Sequence, residues 1–229
     1  MKFSRIPAAA ITRLSRYTRA LEELDAQNIK VISSEKLAEY CEVNSAQIRK
    51  DLAYFGEFGV RGVGYFVKEL LFEIRRILGL NKDWNLAIIG MGNLGCALIA
   101  HSNFLKQGYR FVAAFDADPE KVGRILPGGV VIAPMSALRK ESLEKEVEIA
   151  VIATPASSAQ EVVNQIVEIP IRGILNFSPS QLHLPEGFLV HHIDFTVKLD
   201  RLAYRLSHLK LSAHPQGSDD KPWISKHLV

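Results

Sequence analysis

Apolar positions along the chain follow two different spacings, and the change between them falls near residue 80. Upstream, leucines and aromatic residues recur every three or four positions, as in amphipathic helices. Downstream, apolar runs of strand length alternate with helical stretches, which is the βαβ rhythm of a parallel sheet. The pattern therefore predicts an α/β protein with a helical domain over residues 1–80 and a sheet-based domain from residue 81 to about 195.

Three helices are predicted in the first domain. The first begins near Pro7, and its apolar face holds Leu14, Tyr17, Leu21 and Leu24. The second is short and is capped by Ser33 or Ser34. The third begins after Asn44, which is predicted to form a capping box with Gln47.

The third predicted helix has one apolar face and one polar, cationic face. On a helical wheel the apolar side gathers Ile48, Leu52 and Phe55. The opposite side gathers Gln47, Lys50 and Tyr54, with Arg49 and Ala46 beside them. Long polar and cationic side chains suit a recognition helix in the major groove of DNA, although two short capped helices also occur in proteins that bind no DNA.

A glycine-rich segment, residues 56–65, follows this helix and predicts a tight hairpin. Arg61 and Gly62 lie near its tip. A helix-turn-helix followed by such a hairpin is a winged helix, in which Arg61 would enter the minor groove. A purely structural hairpin is the alternative.

The second domain carries a dinucleotide-binding fingerprint in the segment Gly90-Met91-Gly92-Asn93-Leu94-Gly95. This segment directly follows an apolar run and opens a helix. A second apolar run ends at Asp116, 21 residues past the last glycine, where an acid that binds the ribose is expected. That carboxylate would repel a 2′-phosphate, so NAD(H) is favoured over NADP(H). A degenerate fold that has lost its ligand is the alternative.

Four further strand-like runs, residues 130–132, 148–153, 172–177 and 189–193, complete a doubly wound sheet of six strands. Ligands bind outside the carboxyl ends of such strands, and these ends carry Thr154, Pro155, Asn176, Phe177, Asp194 and Phe195. A last helix, residues 196–211, has no place in a finished sheet. It either packs on its own domain or is exchanged between two subunits. The tail, residues 212–229, is predicted to be disordered.

Composition narrows the class of protein. The chain has 229 residues, of which 48% are hydrophobic, with 28 Lys and Arg against 25 Asp and Glu. The excess of basic residues lies within residues 1–80, which hold 13 basic and 10 acidic residues, and this favours a phosphate-binding patch or a solvated helix face. No apolar run approaches the roughly 18 residues of a membrane span, and no secretory signal is evident, so the cytoplasm is predicted. Cys41 and Cys96 are predicted to be buried thiols.

The segment Asn44–Gly56, followed by Arg61-Gly62-Val63-Gly64-Tyr65, resembles the signature of the Rex family of bacterial redox-sensing transcriptional repressors. The resemblance continues through residues 90–95, 115–123, 174–177 and 193–195 and covers roughly residues 5–211. It implies a homodimer with an N-terminal winged helix, a Rossmann domain that binds NADH and NAD⁺, and a C-terminal helix swapped between subunits. It also implies that NADH releases the repressor from inverted-repeat DNA operators.

Three sets of site residues are predicted from these patterns and from the resemblance. The DNA-contacting set is Ser45, Gln47, Arg49, Lys50, Tyr54, Arg61 and Gly62. The cofactor-binding set is Gly90, Met91, Gly92, Asn93, Leu94, Gly95, Asp116, Lys121, Thr154, Pro155, Asn176, Phe177 and Phe195. The switch set is Arg19, His101 and Asp194. No catalytic residue and no metal site are predicted.

A switching hypothesis follows from the chemistry of the two coenzymes. Their phosphates and riboses are identical, so only the nicotinamide ring can distinguish them. The cationic ring of NAD⁺ loses more on entering an apolar pocket, which Phe195 of a partner subunit is expected to form. Closure driven by NADH would change the separation of recognition helices that must match half-sites about 34 Å, or a multiple of that, apart. Arg19 and Asp194 are predicted to form a salt bridge in one state, with His101 competing for Asp194.

Two other function classes stay open at this point. An NAD-dependent dehydrogenase with an appended interaction domain needs a proton donor, for which the only nearby candidates are His101, His191 and His192. It also needs a substrate domain, and only a helix and a tail follow the sixth strand. A module that binds only protein accounts for the sheet but leaves the basic recognition face unexplained.

Overall fold

The computed structural model describes residues 6–212, with side chains described through residue 209. Among these residues, those up to Leu86 together with Ile99–Val112 form one compact unit. Ala87–Leu98 together with the residues from Ala113 form the second. The domain bounds derived from the sequence, 1–80, 81–195, 196–211 and 212–229, stay predictions, and the last of these ranges lies almost wholly outside the described residues.

The first unit holds the helices and strands of the predicted winged helix. Its elements up to residue 77 are α1 (Ala8–Ala26), β1 (Val31–Ile32), α2 (Ser34–Cys41), α3 (Ser45–Ala53), β2 (Tyr65–Phe66) and α4 (Val67–Ile77). The starts of the first three helices agree with the sequence prediction, since Pro7, Ser33 and Asn44 occupy the N-cap positions. The fourth helix was missed, because it follows a strand directly and has no side-chain cap. Its buried residues Val67, Leu70 and Ile74 carried a helical spacing that was available in the sequence.

The core of this unit forms where α1, α2, α3 and α4 pack together. Leu14, Leu21 and Leu24 of α1 are fully buried, as are Leu37 of α2 and Ile48 of α3. Burial of each such side chain contributes about 1.5–3 kcal/mol, and this favourable energy holds α3 at a fixed position beside α1 and α2.

The wing is shorter than the sequence predicted. Val60 and Gly64 form an antiparallel bridge that closes a turn over Arg61, Gly62 and Val63. The chain then pairs with β1 rather than with itself, with Ile32 opposite Tyr65. Gly64 has φ +111°, and a Cβ there would lie 2.5 Å from the carbonyl oxygen of Ile32. Only glycine fits this close approach between the wing and β1.

The predicted six-stranded sheet is present. Its strands are β3 (Trp84–Ile89), β4 (Tyr109–Asp116), β5 (Ile132–Pro134), β6 (Ile149–Ile152), β7 (Gly173–Asn176) and β8 (Leu189–His192). They are arranged in the order β5-β4-β3-β6-β7-β8, which is the doubly wound order of dinucleotide-binding sheets. The pairs β4–β5, β6–β7 and β7–β8 are parallel. Strand β5 starts at Ile132 rather than at residue 130, because Val131 pairs with Ile125 in an antiparallel bridge before it.

The connecting helices of the sheet are short. They are α5 (Asn93–Ala100), α6 (Asn103–Lys106), α7 (Leu138–Glu144) and α8 (Ala156–Ile166), with 3₁₀ turns at Pro127–Gly129 and Met135–Ala137. The chain ends in α9 (Phe195–Ser212). No helix among the described residues is both long enough and apolar enough to span a membrane.

The last helix does not pack on its own domain. Every described side chain of α9 is exposed, including Leu199, Leu202, Leu206 and Leu209 at 50–65% exposure. The alternative in which α9 covers its own domain is therefore wrong for the described residues. Exchange between subunits stays a prediction.

One of the two thiols departs from the sequence prediction. Cys41 is buried, and this burial raises its pKa to about 11. Cys96 is exposed, and its thiol donates a hydrogen bond to the carbonyl oxygen of Met91 at 3.7 Å. The expectation that both thiols are buried is wrong for Cys96.

Candidate DNA interface and dinucleotide site

The predicted recognition helix, α3, presents a cationic, solvent-exposed face. Arg49, Lys50 and Tyr54 are exposed, whereas Ser45 and Gln47 are half-buried. Asn44 Oδ1 accepts a hydrogen bond from the backbone N–H of Gln47 at 2.7 Å, as predicted for the cap. The second half of the capping box is wrong, because the Gln47 side chain instead donates Nε2 to Asp51 Oδ1 at 2.7 Å.

Asp51 anchors the inner face of α3, and sequence reasoning missed it. Its carboxylate is fully buried and accepts hydrogen bonds from Arg13 Nε at 2.5 Å, Arg13 Nη2 at 2.7 Å and Tyr17 Oη at 2.8 Å. Burial alone raises the pKa of Asp51, but hydrogen bonds from Arg13, Tyr17 and Gln47 outweigh it, so the pKa lies below its ordinary value. Asp51 is therefore a buried, ionised carboxylate that ties α3 to α1.

The wing and α3 border one cleft of about 510 Å³. Arg49 lines it from the recognition helix, and Arg61 and Gly62 line it from the turn. Arg49 donates Nη1 to Ser34 Oγ at 2.6 Å and to Glu35 Oε1 at 3.1 Å. Arg61 is exposed at the tip of the wing, where the sequence predicted it. The cleft therefore brings two guanidinium groups from separate elements to one concave surface.

The dinucleotide fingerprint adopts the turn that its glycines allow. Gly90 has φ +96°, and a Cβ there would lie 2.8 Å from the backbone of Ala153. A Cβ on Gly95 would lie 2.0 Å from the carbonyl oxygen of Gly90, so α5 approaches the turn at a distance only glycine permits. Gly92, by contrast, has no atom within 4 Å of the position that a Cβ would take, which leaves open space over the backbone amides. Met91 between them is buried, while Asn93 and Leu94 are exposed at the start of α5.

Asp116 stands at the carboxyl end of β4 and braces this turn. Its Oδ2 accepts from the backbone N–H of Met91 at 2.7 Å and from Lys121 Nζ at 3.2 Å, and its Oδ1 accepts from Asp118 N at 2.8 Å. Burial opposes ionisation, but the hydrogen bonds from Asp118, Met91 and Lys121 dominate and lower the pKa of Asp116. A carboxylate accepts about four hydrogen bonds, so three protein donors leave capacity for one more.

The carboxyl ends of β6, β7 and β8 supply the remaining predicted residues. Asn176 is fully buried, and its Nδ2 lies within hydrogen-bond distance of Ser178 O, Ser180 O and His192 Nδ1. Thr154 Oγ1 is buried and has no hydrogen-bond partner among the described residues. Such an unsatisfied polar atom at the end of a strand is a place where a ligand can donate or accept a hydrogen bond. Pro155 is the N-cap of α8.

A cavity of about 700 Å³ opens beyond β7 and β8. Phe177 and Phe195 line it, with their ring centroids 6.2 Å apart, and Asp194 lines the same cavity. Phe195 is 60% exposed within the described chain, so the aromatic wall it forms is incomplete.

The three predicted switch residues have local partners. Arg19 lies 3.5 Å from Glu22, and His101 Nδ1 accepts a hydrogen bond from Asn103 N at 3.3 Å. Asp194 Oδ1 accepts from the backbone N–H of Thr196 at 2.8 Å and from its hydroxyl at 2.6 Å, and these bonds lower the pKa of Asp194. Arg19 and His101 belong to the first compact unit and Asp194 to the second. The predicted exchange of partners among them stays a prediction.

Among the described residues, no group of three or more His, Cys, Asp or Glu side chains is arranged to hold a metal ion.

Two family models match this chain. One, described as "Putative DNA-binding protein N-terminus", matches residues 5–53, and the other, described as "CoA binding domain", matches residues 81–180. Coenzyme A and NAD share an adenosine diphosphate moiety, so the second match agrees with a nucleotide-binding sheet.

Curated relatives match almost the whole chain. The redox-sensing transcriptional repressor Rex of Syntrophobacter fumaroxidans is 59% identical over 207 residues, which cover 90% of this chain and 99% of the relative. The Rex protein of Carboxydothermus hydrogenoformans is 46% identical, again over 90% of this chain and 99% of the relative.

Solved structures agree with these relatives. RSP, a Rex-family repressor, is 35% identical in its crystal structure with β-NAD⁺ and operator DNA, with a TM-score of 0.84 over 90% of this chain and 95% of that one. In its complex with β-NADH it is 33% identical, with a TM-score of 0.82 over 91% of this chain and 97% of that one. The likeness spans both the N-terminal unit and the sheet, and the dehydrogenase alternative is not supported. This chain therefore belongs to the Rex family of redox-sensing transcriptional repressors.

Proposed function

We propose that this chain represses transcription by binding operator DNA and that NADH, in preference to NAD⁺, releases it. The observation that carries the proposal is the presence, in one chain, of an exposed cationic recognition helix beside a wing and of a dinucleotide turn with open space at Gly92. Family membership supports the same function, since RSP has been crystallised with NAD⁺ and operator DNA.

The DNA contacts divide by chemistry. Lys50 and Arg49 of α3 would reach phosphates or guanine in the major groove, and Tyr54 is exposed at the C-cap of this helix. Arg61 at the wing tip would enter the adjacent minor groove, where Gly62 leaves room for the backbone. Ser45 is the first residue of α3, and a helix N-terminus favours a phosphate.

The coenzyme would lie along the ends of the strands. Backbone amides at Gly92 and the N-terminus of α5 would bind the pyrophosphate, and the remaining acceptor capacity of Asp116 would bind the adenosine ribose. Lys121 donates to the Asp116 carboxylate and would hold it in place beside the ribose. The unsatisfied Thr154 hydroxyl would complete its hydrogen bonding on the coenzyme.

Discrimination between the coenzymes would arise at the ring. When bound, the coenzyme brings either a cationic or a neutral nicotinamide to the cavity that Phe177 and Phe195 line. Entry into this cavity removes water from the nicotinamide ring, and this desolvation costs the cationic ring more than the neutral ring. Asp194 lines the same cavity, and its negative charge would attract the cationic ring of NAD⁺. If Arg19 neutralised Asp194, this attraction would be lost and the preference for NADH would become stronger. The chain's residues thus set a binding preference and carry out no chemical step.

Dimerisation supplies the geometry of the switch. The exposed leucines of α9 need a partner, and a second copy of the chain would provide it through exchange of this helix. Two recognition helices in a twofold-symmetric dimer would then read the half-sites of an inverted repeat. We also propose a cytoplasmic location, because the chromosomal DNA of a bacterium lies there.

The experiment that tests this proposal is fluorescence anisotropy with an inverted-repeat duplex selected by the protein from a random library. NADH and NAD⁺ are titrated separately at fixed salt. NADH is expected to weaken operator binding about 100-fold more than NAD⁺ does, which corresponds to about 2.7 kcal/mol of differential affinity. The proposal would be contradicted if the protein bound the operator equally well in the presence of NADH and of NAD⁺. Turnover of a substrate by the purified protein would also contradict it.

A further inference from the structure

The buried carboxylate of Asp51 lies on the inner face of the helix whose outer face is proposed to read DNA. Three side chains from two helices converge on its two oxygens: Arg13 and Tyr17 of α1, and Gln47 of α3. Arg13 is separated from Asp51 by 38 residues in sequence, so the contact joins two elements rather than stabilising one. The side chain of Asp51 is 0% exposed and that of Arg13 is 24% exposed.

A carboxylate accepts hydrogen bonds and donates none, and this fixes the orientation of the Gln47 amide. Nε2, the donor end, must face Asp51, where it lies 2.7 Å from Oδ1. An amide turned by 180° would place its oxygen against the carboxylate and repel it. Within the described residues no hydrogen bond to Gln47 Oε1 is found, so the acceptor end of the amide is available to a DNA base.

We propose that Asp51 is a positioning residue for operator recognition, which orients the Gln47 amide so that its oxygen reads an amino group on a base edge. This inference rests on the proposed function. The matching donors in the major groove are N6 of adenine and N4 of cytosine. Arg13 and Tyr17 of α1 also bind the Asp51 carboxylate. The position of Gln47 Oε1 is therefore set by α1 as well as by α3.

The geometry carries a second consequence for Arg13. A bidentate guanidinium fixes both the position and the plane of the carboxylate, whereas a lysine ammonium fixes only its distance. Arg13→Lys keeps the charge and is therefore expected to relax base preference while preserving most of the stability of the unit. Arg13 thus contributes to sequence preference through its contact with Asp51.

The test is a double-mutant cycle on operator preference. Wild type, Asp51→Asn, Gln47→Ala and the double variant are each titrated with the selected duplex and with duplexes altered at one base pair of each half-site. In Asp51→Asn the two amides can pair in either direction, so preference at the position read by Gln47 is expected to fall about tenfold, the discrimination typical of one base-edge contact. In the Gln47→Ala background the same substitution is expected to cause no further loss of preference.

A purely structural role for Asp51 gives a different pattern. It predicts equal loss of affinity for all sequences, and the same loss with and without Gln47, and that result would overturn the proposal. Glu39→Gln, the same carboxylate-to-amide change at an exposed position of α2, is the matched control and should leave preference unchanged. Circular dichroism at the assay temperature, together with NADH binding by the second unit, establishes that each variant is folded.

If Asp51→Asn does not fold, the same comparison is made with Arg13→Lys. Retention of the full wild-type preference in that variant would overturn the proposal. Failure of the wild type to bind any selected duplex would instead contradict the proposed function, so the two failures are distinguishable.

Discussion

The glycines of the dinucleotide turn give opposite predictions for the same substitution. Gly92→Ala places a methyl group where no atom lies within 4 Å, and its backbone is outside the left-handed region. Gly95→Ala places the same methyl 2.0 Å from the carbonyl oxygen of Gly90. An ordinary van der Waals contact begins at 3.4 Å, so α5 must withdraw by more than about 1 Å in the second variant.

The magnitudes follow from these distances. Gly92→Ala should raise the free energy of unfolding by about 0.4–1 kcal/mol, because alanine restricts the unfolded chain and meets no clash when folded. It should nevertheless weaken NADH binding by about 1–3 kcal/mol, roughly 5–150-fold, because the methyl occupies space that a pyrophosphate needs. Gly95→Ala should lower both the free energy of unfolding and the affinity for NADH, since overpacking at the turn costs about 1–3 kcal/mol of stability.

Two measurements check the prediction. Urea unfolding gives the stability of each variant, and NADH fluorescence titration gives its affinity, with operator binding in the absence of NADH as the test that the first unit is intact. Stability and affinity should change in opposite directions in Gly92→Ala only. If Gly92→Ala binds NADH like the wild type, the proposed approach of the pyrophosphate to this turn is wrong.

Four shorter predictions concern other parts of the molecule. Arg61→Ala should weaken operator binding and make its salt dependence shallower, by about 0.9 for each phosphate that the variant no longer neutralises, with unchanged NADH affinity, as measured by anisotropy at several salt concentrations. Because the pKa of Asp116 lies below its ordinary 3.8, the stability it contributes is present above that pH and is lost as the pH falls. The stability difference between wild type and Asp116→Asn should therefore be full at pH 7 and vanish toward strong acid in pH-dependent unfolding, and a constant difference would contradict this account. Leu202→Asp on the exposed face of α9 should shift the protein from dimer to monomer in sedimentation velocity, whereas an unchanged dimer would exclude this face from the interface. Iodoacetamide should alkylate exposed Cys96 in the folded protein and buried Cys41 only after unfolding, as mass spectrometry of the peptides will show.

Local patterns were sufficient for most elements and for the outline of both sites. The caps at Ser33 and Asn44 depend on a side chain and a backbone amide three residues away, so sequence spacing predicts them directly. The glycine spacing likewise predicts a β–turn–α unit, and the acid 21 residues later predicts the end of the next strand. The doubly wound class of the sheet could be predicted because strands that alternate with helices have few allowed connections.

The amino-acid sequence alone thus determined the class of fold, and it located the helix proposed to face DNA and the turn proposed to bind a dinucleotide. Only the tertiary structure decided that Gln47 turns inward to Asp51, that Asp116 braces the Met91 amide, and that Cys96 is exposed. Each of these depends on which side chains meet across helices or strands, and periodicity in sequence gives the buried face of an element but not its partner. In the sequence, Asp51 cannot be distinguished from an exposed polar residue. Its role as a buried charge is visible only in the tertiary structure, where Arg13 and Tyr17 pack against it.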